Sequence, residues 1–165
     1  MYSHPNPALA LLALLAISCG IARAATVTTT FNVAATVVSA CTVSATDMAF
    51  GSYDTTSPTP TTATSTVSVR CALLTPYHVR LDKGAYGADV QNRKMKGPGA
   101  SDYLNYSLYR DGARTQNWGE TDGVDTVDAV GTGTTVDHAV YGRIPAEQNV
   151  NTGAYTDVIT VTVSY

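Results

Sequence analysis

The chain has 165 residues, 10 basic against 13 acidic, for a formal charge of −3, and its few cations are scattered. That leaves no electrostatic footprint for nucleic acid, and the length suits one domain. Only 14% of residues are charged, and Thr, Val, Ser, Ala, Gly and Tyr dominate, a composition that favours sheet over helix.

Ala8 to Ile17 is an unbroken apolar run, followed closely by Ala22-Arg23-Ala24. This has the form of a signal peptide with a small-x-small cleavage site, so residues 1–24 are expected to be removed. The run is too short to span a bilayer comfortably. Loss of Arg23 makes the chain one unit more negative. Ala16-Ile17-Ser18-Cys19 offers a rival lipoprotein-type site, with Ala where Leu is usual three residues before the cysteine. The remaining chain of about 140 residues is long enough to bury roughly two-thirds of its unfolded surface.

Cys19 leaves with the signal, so Cys41 and Cys71 remain as a pair. In an oxidising compartment they are expected to form one structural disulfide. Closing a loop of about 30 residues contributes on the order of 3.5–4 kcal/mol in the chain-entropy description. Two free buried thiols are the alternative. With no CxxC and no clustered histidine, a zinc site is a poor fit.

Val27, Phe31, Val33, Ala35 and Val37 share one parity, with Thr29 their polar member. This stretch reads as two units with no turn signal between them, an arm, residues 25–34, and a first core strand through Cys41; alternation alone does not place the division. The domain proper is then 35–165. A short strand is expected over Met48 to Tyr53, then a Pro/Thr loop through Thr62. Thr64 to Cys71 carries Val67, Val69 and Cys71 on one face. Tyr77 to Lys83 puts Tyr77, Val79 and Leu81 inward and His78, Arg80 and Asp82 outward.

Gly84 to Ser101 reads as a long polar loop. Tyr103 to Tyr109 alternates through Leu104, Tyr106 and Leu108, a weak strand is expected near Thr126-Val127, and Val136 to Ile144 is a further strand. Tyr155 to Tyr165 is the last, with Ile159, Val161, Val163 and Tyr165 facing one way and Thr160, Thr162 and Ser164 the other. No segment has helical periodicity. Some seven short core strands fit a Greek-key sandwich. One strand is surplus at the front, and the last has no successor to pair with, leaving an edge that invites association.

The stretches Cys41-Thr-Val-Ser-Ala-Thr-Asp-Met-Ala-Phe-Gly-Ser-Tyr-Asp54, Val67-Ser-Val-Arg-Cys71, Leu104-Asn-Tyr-Ser-Leu-Tyr-Arg-Asp111, Val140-Tyr-Gly-Arg-Ile-Pro-Ala146 and Gly153-Ala-Tyr-Thr-Asp-Val-Ile-Thr-Val-Thr-Val-Ser-Tyr165 together resemble the spore coat U domain family. Many members of that family look like subunits of archaic, Csu-type chaperone–usher pili. The resemblance implies an all-β, incomplete immunoglobulin-like Greek-key sandwich that lacks its last strand and carries an N-terminal donor-strand arm. It also implies partners: a periplasmic chaperone, an outer-membrane usher and neighbouring subunits in a head-to-tail polymer.

By the same resemblance the donor residues are Val27, Thr29, Phe31 and Val33, with Phe31 the main anchor. Val37, Val43, Ile159, Val161 and Val163 line the acceptor groove. The implied destination is the periplasm and then a surface or extracellular fibre, supporting attachment and biofilm formation. An arm folded back into its own groove, giving a secreted coat or matrix domain that does not polymerise, stays open beside this.

No catalytic constellation stands out: His78 and His138 lie far apart in sequence with no nucleophile motif, so no enzyme activity, cofactor or small-molecule substrate is expected. Asp122, Asp125 and Asp128 lack EF-hand spacing and read as a solvated turn, not a metal site. Arg93, Lys94 and Lys96 form a basic cluster that reads as a solvated loop. Asn105-Tyr-Ser107 matches a glycosylation sequon but falls in a strand. Trp118 and the many tyrosines fit sheet faces and core edges better than a sugar site.

Overall fold

The computed structural model describes residues 23–165. The expected signal segment, 1–24, lies outside the described residues except for Arg23 and Ala24. The chain divides into two units, ending at Thr36 and beginning at Val37. In the first, residues 23–36 belong to no strand and are exposed, Phe31 at 85%.

Residues 37–165 form an all-β domain with no helix. A five-stranded antiparallel sheet has the order β1-β2-β7-β5-β4, from β1 (Cys41–Ala45), β2 (Thr61–Cys71), β7 (Thr135–Ile144), β5 (Tyr103–Tyr109) and β4 (Arg93–Lys96). A three-stranded sheet has the order β6-β3-β8, from β6 (Val127–Val130), β3 (Pro76–Leu81) and β8 (Val161–Ser164). The chain passes from one sheet to the other after β2, β3, β5, β6 and β7, which is how a sandwich is laced together.

Period-2 patterning sets which side chains enter the core. Val67, Val69 and Cys71 of β2 are buried, as are Leu104, Tyr106 and Leu108 of β5 and Val140 and Ile144 of β7. Tyr77, Val79 and Leu81 meet them from β3. Trp118, in the connection after β5, is fully buried and donates its indole N–H to the Val79 carbonyl at 2.8 Å.

Four elements differ from the sequence reading. The first core strand starts at Cys41, not before it, and Val37 is 92% exposed outside any strand. Its register is fixed by Cys41 opposite Cys71, which are joined by a disulfide, and one further backbone bond, from the Ala72 N–H to the Ala40 carbonyl at 2.9 Å, ends the pairing. Met48 to Tyr53 is extended but pairs with no strand. The supposed loop 84–101 contains β4, invisible to hydrophobic periodicity because Met95 is its one apolar residue. Finally, the terminal strand is shorter than its alternation, since β3 supplies partners only from His78 to Leu81.

Arg93 corrects the reading of a solvated basic loop. It faces inward on β4 and is fully buried. Its guanidinium donates to the carbonyls of Asp82 (2.8 Å), Val90 (2.8 Å), Leu81 (2.9 Å) and Trp118 (2.7 Å). Burial pulls its pKa down from the usual arginine range, and the fan of carbonyl acceptors supplies what water would have given it.

Candidate functional site

The core is open along the edge between the two sheets where β1 and β8 lie. β1 is one edge strand of the large sheet, opposite β4, and β8 is one edge strand of the small sheet, opposite β6. Register places Cys41, Val43 and Ala45 on the face of buried Cys71, Val69 and Val67. Val161 and Val163 likewise share the face of buried Leu81 and Val79. These inward-facing residues are incompletely covered: Val43 is 42% exposed, and Ile159, Val161 and Val163 are half-buried. An inward apolar residue left open at a sandwich edge forgoes about 25 cal/mol per Å² of transferable area.

A cavity of about 410 Å³ opens there. One wall is Ala45 to Phe50, the other Tyr155 to Val161, and the floor includes Val67, Leu81, Leu108 and Val140. A second cavity of about 710 Å³ continues it, with Met48 to Thr55 on one side and Val150 to Tyr155 on the other. As one wall advances from 45 to 55, the other recedes from 161 to 150, so the two walls run antiparallel along a single slot.

Neighbouring residues fix both walls. Tyr53 donates its hydroxyl to the Pro145 carbonyl at 2.8 Å and accepts the Gln148 N–H at 2.8 Å. Met48 and Phe50 lie over Gly142 of β7, where an added Cβ would collide with the Met48 sulfur and the Phe50 ring. On the opposite wall, Asp157 accepts the Ala85 N–H at 2.9 Å and the Tyr106 hydroxyl at 2.6 Å. Burial, then this carboxylate, push the Tyr106 pKa far up, so the phenol stays a neutral donor. Gly84, at φ 76°, lets the backbone pass against Asp157. Asp82 secures the approach to β8 by accepting the Thr160 N–H at 3.0 Å.

Of the residues expected to line a groove, Ile159 and Val161 border the cavity. Val43 and Val163 face the same gap from β1 and β8 but lie beyond its lining, and Val37 stands outside the strands. Sequence reasoning missed most of the floor and the walls at Ala45 to Tyr53 and Tyr155 to Val158. The apolar alternation Met48, Phe50 is the available signal, and it reads as a short strand, where the structure has an unpaired extended wall.

The polar clusters are committed locally. His78 pairs with Asp128 at 2.7 Å, and Arg80 forms a two-point ion pair with Asp122. Asp125 accepts the Thr121 N–H at 2.7 Å. His138 lies inward on β7, its Nε2 3.0 Å from the Tyr77 hydroxyl, and burial lowers its pKa against the opposing pull of Asp137. No group of three metal-ligating side chains occurs among the described residues. Asn105 sits mid-strand on β5, its N–H and carbonyl bonded to the Gln148 side chain.

Two antiparallel sheets over one core, laced by repeated crossings and open along one edge, make this an immunoglobulin-like β-sandwich. The family model of the Spore Coat Protein U domain matches residues 27–162, and the chain belongs to that family. It is 34% identical over 161 residues to Protein U of Myxococcus xanthus, covering 87% of this chain and 88% of that protein. It is also similar, at 25% identity and a TM-score of 0.59, to a chain in the crystal structure of the CsuC–CsuE chaperone–tip adhesion subunit pre-assembly complex from the archaic chaperone–usher Csu pili of Acinetobacter baumannii. That match covers 79% of this chain and 40% of the other.

Proposed function

We propose that this protein is a structural subunit of a surface fibre, assembled head to tail by insertion of an extended strand into the slot between β1 and β8. The observation that carries the reading is the uncovered inward face, Val43 on one edge strand with Val161 and Val163 on the other, beside an elongated cavity. A strand added there gains ladder partners from the free side of β8 and places alternate side chains on the core floor. The slot is some ten residues long, about 33 Å, and an extended arm of residues 25–34 has the same reach.

Val27, Phe31 and Val33 are exposed apolar residues of one parity, and burying each is worth roughly 1.5–3 kcal/mol. The family match includes them along with the sandwich. A surface pattern that pairs one end of a molecule with a different site on the next is heterologous, and it propagates as a fibre wherever the rotation between neighbours does not close a ring. The likeness to a subunit in complex with its chaperone supports a transient donor before assembly: an exported subunit receives a chaperone strand in the periplasm and exchanges it at an outer-membrane usher for a neighbour's arm. The finished fibre is then a structural device for attachment and biofilm formation, with no reaction to catalyse.

The test is to delete Thr26 to Ala34 and titrate the shortened chain with a peptide of those residues. Binding with a rise in melting temperature is the expected result. A shortened chain that neither binds the peptide nor melts differently with it overturns the reading. A full-length monomer that refuses the peptide, and melts like the peptide-saturated shortened chain, shows instead that the arm completes its own fold.

A further inference from the structure

We infer that the outer face of the five-stranded sheet is a binding surface for an acidic polysaccharide. The inference is independent of the slot, which opens on the inner face, so it stands or falls separately from the fibre reading.

Cross-strand register builds the surface. Outward positions pair as Lys96 with Tyr103, Lys94 with Asn105, Arg143 with Ser107 and Tyr141 with Tyr109. Along β5 the positions 103, 105, 107 and 109 form a row about 20 Å long at two residues per step. The Lys96 ammonium lies 4.9 Å from the Tyr103 ring centroid and that of Lys94 5.8 Å from it, with Tyr86 tilted against the same ring at 6.1 Å. At the far end the Arg114 guanidinium lies 5.7 Å from the Tyr141 centroid. Tyrosines therefore mark both ends of an extended strip, with Lys94 and Arg143 between them.

The cations are placed but not neutralised. Among the described residues the ion pairs are His78–Asp128 and Arg80–Asp122, both involving the small sheet; Lys94, Lys96, Arg114 and Arg143 have no carboxylate within ion-pair distance. Asp137 also faces outward on β7, but it sits toward the opposite end and accepts the Ser68 hydroxyl at 2.6 Å. The Tyr103 face lies beside both ammonium groups, and Lys96 also donates to the Gly97 carbonyl at 3.4 Å and to the Gly99 carbonyl, which pre-organises it for an anion.

The chemistry of the strip selects the occupant. Carboxylates spaced along a linear polymer satisfy the cations, while tyrosine rings and hydroxyls offer sugar rings both an apolar face and a hydrogen-bonding edge. A handful of cations on a chain of net charge −3 makes a local strip, not the broad basic field that nucleic acid demands.

The test measures binding of the full secreted chain to polygalacturonate, neutral dextran and single-stranded DNA at two salt concentrations. Polygalacturonate should bind, weaken with salt and lose about tenfold in affinity in K94Q/K96Q and again in R143Q. Lys83→Gln, outside the strip, should leave binding unchanged. Y103F should bind nearly as well as the parent, and Y103L should not. Equal binding of dextran, indifference to K94Q/K96Q/R143Q with the melting temperature preserved, or DNA binding as tight as polygalacturonate would each overturn the inference.

Discussion

Arg93 donates to the carbonyl of Trp118 at 2.7 Å, and the indole N–H of Trp118 donates in turn to Val79 at 2.8 Å. A cation on the large sheet, an aromatic in a connection and the backbone of the small sheet are thereby tied in series. Buried polar chains of this kind are worth most when every member is satisfied.

Arg93→Met keeps much of the volume but strips donors from four carbonyls. Leaving such groups buried costs about 1–3 kcal/mol each where no water replaces the donor, so a total loss of roughly 3 kcal/mol or more is expected in urea unfolding. Arg93→Lys keeps the charge but not the planar fork, and should recover only part of it.

The Cys41–Cys71 disulfide fastens β1, which pairs only with β2. Cys41→Ala/Cys71→Ala should lower stability by about 3.5–4 kcal/mol. Reductant should shift the parent's unfolding midpoint by a similar amount and leave the double variant unmoved.

His138 predicts an acid-side loss of stability. Its folded pKa lies below the ordinary 6.5 because burial beside Tyr77 disfavours the charged ring. The unfolded chain therefore binds the proton more readily, so the contribution is intact above about pH 6.5 and is lost as pH falls below it. Unfolding midpoints at pH 7.5 and pH 5.5 should differ more for the parent than for His138→Gln; equal differences would refute the assignment.

The slot makes a separate demand. Val161→Asp places a carboxylate on its apolar wall and should weaken binding of the arm peptide by more than about tenfold, since an unpaired charge resists desolvation. Phe31→Ala in the peptide should cost roughly 2 kcal/mol of affinity, and Thr29→Val should not weaken it. Calorimetric titration of the arm-deleted chain separates these outcomes.

How much of this was legible depended on whether a residue's role followed from its own neighbours in sequence. Val67, Val69 and Cys71, or Leu104, Tyr106 and Leu108, alternate strongly enough to announce strand and inner face together. Arg93 did not, because burial of a guanidinium depends on carbonyls contributed by residues 81, 82, 90 and 118, which no local window contains. Met48 to Tyr53 alternates like a strand yet has no ladder, since pattern reports which side is apolar and not whether a partner lies alongside. The donor and acceptor assignments for Val27, Phe31 and Val161 came from family resemblance and remain proposals; periodicity supplied only their parity.

Gly142 has a bearing on evolution that neither wall of the slot reveals. Any side chain there would meet Met48 and Phe50, lifting that wall off β7 and altering the clearance above the floor. If a strand docks in the slot as proposed, its selectivity can therefore be tuned from Gly142, which lies under the wall and outside the cavity lining, and a search for specificity confined to lining residues would overlook it.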